Sequence, residues 1–193
     1  MNKDNKELEF EEIKENQIYF YETFENRSKP EHKYLNNFHE SPFVTVSGVK
    51  FTTVEHYYQA HKFGDFKKKN FEQYYEEIRK ADNADKCKKI ARLHTKSMSS
   101  EEWNENEWNS KLKDYYMKRG LTYKFSQNKD MLEELVKTGN AELREDSLKD
   151  KYWGGLIKGS QNMLGKMLME LRDNYVKTKT VFLEGSGLEP IKL

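Results

Sequence analysis

The stretch FVTVSGVKFTTVEHYYQAHKF, residues 43–63, changes from a strand pattern to a helix pattern within a short length of chain. Its first part is rich in β-branched and aromatic residues on both sides of a Ser47-Gly48 pair. Such residues favour strands, and glycine favours the tight turn between them. The sequence therefore predicts a small hairpin, with residues 43–46 and 49–51 as its two strands.

The second part of the stretch has the features of a helix. Thr52 or Thr53 can cap its start, because a threonine hydroxyl can accept a hydrogen bond from a free backbone N–H group of the first turn. The helix is expected to run through Phe63 and to end at Gly64. The fold-determining stretch is thus a strand pair that leads directly into a helix.

Outside this stretch, the chain is predicted to be mainly helical. We expect a strand at Ile18–Tyr21 and irregular chain over residues 140–161. Further helices are expected near residues 67–80, 83–95, 101–119 and 129–138, and a last one from about Asn162. The last helix has apolar residues at helical spacing, namely Met163, Leu164, Met167, Leu168, Leu171 and Tyr175. The fold class is mainly α with a small β hairpin or sheet element.

The 193 residues favour one domain with two tails. We expect a charged lead-in at 1–15, the domain at 16–177, and a C-terminal tail that forms an appendage at 178–193. The net charge of +1 indicates no general attraction to nucleic acid or membrane. A single cysteine excludes an internal disulfide, and neither a signal peptide nor a run of about 18 apolar residues is present. These features predict a cytoplasmic protein without membrane partners.

Several common chemistries are absent. The GSQNMLGKM segment has the wrong glycine spacing for a phosphate-binding P-loop, and no GxGxxG follows a strand. The histidines form no HExxH pair, and one cysteine cannot build a zinc site. No GxSxG nucleophile motif occurs. We expect neither a metal nor a cofactor.

Three segments carry candidate chemistry. The helix after the hairpin presents three polar positions on one face: Glu55, then Tyr58 or Gln59, then Lys62. A structural explanation for Glu55 is favoured from spacing alone, because Thr52 and Glu55 fit a capping box. The second segment, LREDSLKDKYWGG at 143–155, combines carboxylates with aromatic rings, and a ligand loop and a solvated acidic turn explain it equally well. The third, GSQNMLGKMLMELR at 159–172, brings glycines to a helix start, which suits a phosphate or a simple Asn162 cap.

In this order, these segments resemble the NADAR (YbiA-like) family. The resemblance runs from about Tyr19 to Arg172. It is carried by FYETF and YLNNF; by SPFVTVSGVKFTTVEHYYQAHKF; by MKRGLTYKFSQNKDMLEELVKTGNAELRE; and by DKYWGGLIKGSQNMLGKMLMELR. The resemblance implies a mainly helical N-glycosidase that acts on ribosyl compounds, either ribosylated pyrimidine intermediates of riboflavin synthesis or ADP-ribose attached to guanine.

The resemblance also assigns residues. Glu55 becomes the central catalytic carboxylate, with Lys62 close to it on the same helix. The expected substrate-binding and further catalytic positions follow from three family signatures. The D-x-Y-W-G signature gives Asp150 and Trp153, and the N-x-x-L-G signature gives Asn162 and Gly165. The S-N-F signature gives Asn37 and Phe38, and Asn36 replaces its serine. Ala91-Arg92 stands where relatives have Gly-Arg. The following tryptophan is Trp103 or Trp108, and the distance to residues 117–119 favours Trp108.

The expected mechanism follows from the bond that breaks. Loss of the base leaves positive charge on the ribose, which a carboxylate can stabilise while it positions water. Glu55 and Asp150 are the two candidate carboxylates, with their acid and base roles open, and Lys62 supports them. Stacking on the base is expected from Trp108, Trp153 or Tyr152, with Tyr58 nearby and Arg92 as a further binding residue. The helix start at Gly159–Asn162 is expected to hold a phosphate.

The expected substrate is an ADP-ribosylated guanine or nucleotide, with ADP-ribosylated nucleic acid as a further candidate partner. The alternatives are a phosphorylated ribosylaminopyrimidine of riboflavin synthesis, and a non-catalytic module that binds ADP-ribose. The oligomeric state is left open by the sequence.

Overall fold

The computed structural model describes residues 9–12, 14–21 and 27–193. Its strands are β1 (Gln17–Phe20), β2 (Phe43–Val44), β3 (Lys50–Phe51), β4 (Glu142–Glu145), β5 (Thr180–Val181) and β6 (Ile191–Lys192). Its α-helices are α1 (Val54–Ala60), α2 (Phe71–Arg79), α3 (Ala84–Ser97), α4 (Glu105–Glu107), α5 (Lys113–Gln127), α6 (Lys129–Lys137) and α7 (Met163–Thr178). The prediction of a mainly helical fold with small β elements is confirmed.

The predicted hairpin and the helix after it are both present, but each strand has two residues and the α-helix ends at Ala60. β2 and β3 pair antiparallel, with Phe43 opposite Phe51, and Gly48 takes a positive φ of 80° in the turn. α1 continues into a 3-10 turn over His61–Phe63 before Gly64. Every residue of α1 is buried, and the helix packs against α2, α3 and α5. The helix of the fold-determining stretch, α1, is therefore at the centre of the domain.

The predicted helix at 101–119 is wrong in its bounds. Asn104 caps a single turn, α4, and a π-helical turn over Trp108–Leu112 leads into α5, which continues to Gln127. Gly120 does not end this helix. A Cβ added there would lie 2.9 Å from a methyl group of Val54, so the glycine allows α5 to cross α1 closely. A glycine at a helix crossing has the same appearance in sequence as a glycine at a helix end.

Strand β4 was not predicted, because residues 140–161 were expected to be irregular. It pairs in parallel with β1, so that Ile18 lies opposite Leu143 and Phe20 opposite Glu145. Leu143 and Glu145 are buried, and Glu142 and Arg144, which alternate with them, are partly exposed. This alternation turns the Glu145 side chain toward the interior of the domain.

The C-terminal segment at 178–193 packs on the body of the domain. Val181 and Leu183 are buried in the core. Lys118 and Arg119 of α5 donate hydrogen bonds to carbonyl groups of residues 184, 186 and 187. The segment thus contributes to the core, and the expected appendage is not seen.

In the expected lead-in, residues 1–8 lie outside the described part of the chain, and Phe10 forms a β-bridge with Ile157. Across the ranges that the structure describes, none of the helices has both the length and the apolar character that crossing a bilayer requires.

Candidate active site

A cavity of about 480 Å³ opens beside the polar face of α1. Parts of the chain that are distant in sequence line it: the segment 36–38, helices α1 and α3, and the loop 145–153 after β4. Its principal polar and aromatic side chains are Tyr21, Asn37, Phe38, Glu55, Tyr58, Gln59, Lys62, Lys88, Glu145, Asp146, Asp150 and Trp153. A wider surface depression at residues 104–111 is lined by Asn, Ser, Lys and Glu side chains, and none of the predicted site residues lines it.

Glu55 lies in the cavity and does not cap its helix. The N-cap is Thr53, whose hydroxyl accepts from the backbone N–H of His56 at 3.1 Å. The Glu55 carboxylate instead accepts hydrogen bonds from two side-chain amides, Gln59 Nε2 at 2.7 Å and Asn37 Nδ2. The capping-box explanation of Glu55 is therefore wrong, because its two carboxylate oxygens are engaged on the cavity side of the helix.

Two hydrogen bonds to backbone carbonyls, one from α1 and one from α5, fix the segment that carries Asn37. The Asn37 carbonyl accepts from the Glu55 backbone N–H at 2.9 Å. The fully buried Lys124 donates from Nζ to the Asn36 carbonyl at 2.8 Å. Backbone and side-chain contacts together hold the Asn37 amide on the carboxylate, which gives the anion a fixed position.

The groups around Glu55 shift its pKa in opposite directions. Burial raises the pKa of Glu55, while Lys88, the Gln59 amide and Lys62 lower it and Asp150 raises it further. Burial lowers the pKa of Lys62, and Glu55 opposes that shift. The Lys62 Nζ lies 5.6 Å from the ring centres of both Tyr58 and Trp108. The site thus combines carboxylates and lysines in a poorly hydrated space, where their interactions are stronger than in water.

The loop after β4 brings Asp150 and Trp153 to the cavity. Asp150 Oδ1 accepts from the backbone N–H groups of Tyr152 and Trp153, each at 2.9 Å. These two bonds form the turn that presents the Trp153 ring, whose centre lies 5.9 Å from that of Tyr58 in an edge-on arrangement. One Asp150 oxygen is therefore engaged in shaping the loop.

The structure brings seven of the predicted site residues to the cavity: Asn37, Phe38, Glu55, Tyr58, Lys62, Asp150 and Trp153. It does not bring Arg92, Trp108 or Tyr152 there. Arg92 lies on the exposed face of α3, and Trp108 is buried behind Tyr58, with ring centres 5.2 Å apart. Tyr152 turns away, and its hydroxyl donates to Asp114 at 2.6 Å.

The start of α7 has a different role from the expected phosphate site. The backbone N–H groups of Asn162 and Met163 donate to the carbonyls of Gly154 and Tyr152. The Asn162 side chain bridges to β4, donating to the Leu143 carbonyl at 2.8 Å. Because these groups already have backbone partners, the helix start serves to fix β4 and its loop.

The two glycines of this region also have structural positions. Gly165 has no room for a side chain, since an added Cβ would lie 2.0 Å from the Leu143 carbonyl oxygen. Gly159 is exposed, with a φ of 77°, and its N–H donates to the Glu11 carboxylate at 3.1 Å. Neither glycine reaches the cavity.

Sequence reasoning missed Lys88 and Glu145 as cavity residues. Lys88 lies on α3 among other lysines, and its Nζ is 5.2 Å from the Phe38 ring centre. Glu145 belongs to the acidic segment noted in the sequence, but helical and strand spacing gave no reason to prefer it over Asp150. Its burial was the missing signal, and burial here depends on the pairing of β4 with β1.

The comparisons with known proteins agree with this geometry. A family model described as the NADAR domain matches residues 19–175. The N-glycosidase YbiA of Escherichia coli is 34% identical over 158 residues, which cover 81% of this chain and 86% of YbiA. A riboflavin biosynthesis protein of Vibrio vulnificus is 34% identical over 162 residues, which cover 83% of this chain. This chain spans about two fifths of the Vibrio protein, since the match covers 39% of it.

The fold agrees as well. The NMR structure of E. coli YbiA superposes with a TM-score of 0.64 at 29% identity and covers 86% of this chain and 89% of YbiA. The family model accounts for most of the chain, from β1 to α7. The matched segment therefore includes every element that lines the cavity, and the chain belongs to the NADAR domain family.

Proposed function

We propose that this protein is an N-glycosidase that hydrolyses the bond between a ribose and a nitrogenous base. The observation that carries the proposal is the buried Glu55 carboxylate, which is held by two amide donors beside Lys62 and faces a cavity with an aromatic wall. Relatives named N-glycosidase, from E. coli and from Nostoc punctiforme at 31% identity over 158 residues, support it.

The chemistry needs a fixed negative charge beside the anomeric carbon. As the bond from C1′ to the base nitrogen lengthens, positive charge develops on the ribose, and a preorganised carboxylate stabilises it. The Asn37 and Gln59 amides keep the Glu55 oxygens in place, so that little reorganisation is needed at the moment of reaction. Glu55 then accepts a proton from the water that attacks C1′.

The remaining cavity residues fit the rest of a ribosyl substrate. Lys62 lies near Glu55, which opposes the lowering of its pKa by burial, and Lys88 offers its ammonium group to a phosphate at the side of the cavity where Phe38 lies. Trp153 provides a flat ring for the base, in a position fixed by Asp150. A second carboxylate is available from Asp150, whose Oδ1 is engaged in the loop.

We propose an ADP-ribosylated guanine or nucleotide as the substrate class. The cavity volume of about 480 Å³ is in the range of small-molecule sites. Two rings, Phe38 and Trp153, are available for two flat groups. A phosphorylated ribosylaminopyrimidine is the second candidate, and the name of the Vibrio vulnificus relative, a riboflavin biosynthesis protein, favours it.

A substrate panel tests the proposal. The purified protein is incubated with ADP-ribosyl-guanosine, with the same adduct in single-stranded DNA, with phosphorylated ribosylaminopyrimidines and with NAD, and free base is followed by mass spectrometry. Release of guanine derivatives supports the first class, whereas release from the ribosylaminopyrimidines alone supports the second. Clear binding of one compound without base release from any would identify a binding module and overturn the enzymatic proposal.

A further inference from the structure

Glu145 is a buried carboxyl group of the cavity to which no role has yet been given. The residue is 7% exposed, and its Oε2 has no hydrogen-bond partner among the residues that the structure describes. Its backbone is fixed, because its N–H donates to Asn162 Oδ1 at 3.3 Å and its carbonyl accepts from the Gly155 N–H at 2.8 Å. A buried polar atom without a partner is costly and calls for an explanation, and a catalytic role is one such explanation.

Glu145 and Glu55 differ in the partners of their oxygens. Both Glu55 oxygens accept from amide N–H groups, and Lys88 and Lys62 add positive charge. Hydrogen bonds from donors favour the ionised form of a carboxyl group. Glu145 has no such donor in the described chain, so its neutral form, which can itself donate a proton, suits its surroundings.

The charged groups facing Glu145 also favour its neutral form more than those around Glu55 do for that residue. They come from three elements: Glu55 of α1, Lys88 of α3 and Asp150 of the loop, with Tyr21 and Asp146 also lining the cavity. Burial is the main cause that raises the pKa of Glu145, to about 8, and the charges of Asp150 and Glu55 add to it while Lys88 opposes it. Burial raises the pKa of both carboxyl groups, but Glu55 has amide donors and two lysines that oppose the shift, whereas Lys88 alone opposes it at Glu145. Carboxyl groups whose surroundings differ in this way are typical of an acid and a base.

We propose that Glu145 is the general acid of the reaction and a catalytic residue that the family resemblance did not assign. This inference rests on the proposed N-glycosidase function. As the bond between C1′ and the base nitrogen breaks, the proton of Glu145 moves to that nitrogen, and the base leaves as a neutral molecule. Water forms the new bond to C1′ and loses its proton to Glu55, and a proton then returns from Glu55 to Glu145 through solvent.

Asp150 has a supporting part in this assignment. Its Oδ1 is engaged by two backbone N–H groups, which fixes the position of the carboxylate near Glu145. A fixed negative charge near a carboxyl group favours retention of its proton. Asp150 is thus a positioning residue that keeps the acid protonated, while Glu145 delivers the proton.

The test compares Glu145→Gln with the matched control Glu142→Gln. Glu142 lies on the same strand, but its carboxylate is at the surface, where it accepts from Gln17 at 2.7 Å. Single-turnover base release is measured between pH 6 and about 9.5, a window chosen to bracket the pKa of Glu145 near 8. Because an acid works only when protonated, the wild-type rate should fall above about pH 8, while a fall toward pH 6 would follow protonation of Glu55, whose pKa burial raises.

The expected result is a loss of roughly 10²-fold or more in Glu145→Gln, with no decline near pH 8 in its residual rate. Glu142→Gln should keep the wild-type profile. The loss in Glu145→Gln should also be smaller for substrates whose leaving base is less basic, since such a base needs less help from an acid. A wild-type rate in Glu145→Gln, or an equal loss whatever the leaving base, overturns the assignment.

Infrared spectroscopy of the protein reads the proton without turnover. A carbonyl-stretch band of a protonated carboxylic acid should be present at pH 7 in wild type and in Glu142→Gln, and Glu145→Gln should lose this band while Glu55→Gln keeps it. If that band is present and yet wild type releases no base from any substrate, the proposed function and the acid role both fail. If base release occurs and the band is missing, the acid role alone fails.

Discussion

Replacement of Glu55 by glutamine separates catalysis from folding. The change removes the negative charge next to the expected position of C1′ and keeps the shape of the side chain. In the fold, one of the two amides that donate to Glu55 would meet the new NH₂ group. Gln59 can relieve this by turning its own amide, because its Oε1 has no partner among the described residues and would then accept a hydrogen bond.

Glu55→Gln should change the rate of turnover much more than it changes the free energy of unfolding. With the Gln59 amide turned, we expect the free energy of unfolding to change by less than about 1.5 kcal/mol, the net contribution of one ordinary hydrogen bond. Neutralising a buried charge reduces the cost further. Loss of the carboxylate as base and electrostatic stabiliser should lower turnover by about 10²–10⁴-fold, or about 3–5 kcal/mol of transition-state stabilisation at 1.36 kcal/mol per decade.

The assay measures base release per folded molecule together with urea denaturation. Thr53→Ala is the matched control, because Thr53 is the actual N-cap of α1. Its loss should lower stability by about 1 kcal/mol, the usual effect of removing a cap, and leave the rate per folded molecule nearly unchanged. The reverse pattern, a destabilised Glu55→Gln with a wild-type rate, would refute the assignment of Glu55 to catalysis.

Three further predictions concern the base, the metal and the α7 start. Trp153→Ala should weaken binding of a base-containing ligand more than binding of ribose 5-phosphate in calorimetry, because the ring faces the cavity; equal losses would indicate that it only packs on Tyr58. Incubation with EDTA should leave base release unchanged, since water and carboxylates suffice for the chemistry; a loss restored by a divalent ion would contradict this. Gly165→Ala should be strongly destabilising in urea denaturation, because the added Cβ would lie 2.0 Å from the Leu143 carbonyl oxygen. Gly139→Ala is its control: it has open space but a φ of 60°, so only about 1 kcal/mol is expected; equal losses in both would show that β4 moves aside easily.

The sequence predicts elements best where neighbouring residues determine them. The β2–β3 hairpin depends on a short turn at Gly48, and the helix after it on a threonine cap and helical spacing, so both follow from local preferences. β4 is different. Its sequence, Glu-Leu-Arg-Glu, contains no β-branched residue, and it is a strand because β1 pairs with it and Asn162 fixes it from α7.

In the candidate site too, some features follow from local sequence and others depend on tertiary contacts. Sequence spacing alone placed Glu55 and Lys62 on one helix face, because α1 continues directly into the 3-10 turn that carries Lys62. Which residues from elsewhere join them depends on contacts between distant parts of the chain: a parallel strand pairing brings Glu145 to the cavity, and the packing of α3 brings Lys88. The sequence thus determined the hairpin, the central helix and its carboxylate. The tertiary structure alone decided which second carboxyl group is buried without a partner, because burial is a property of the packed fold and not of local spacing.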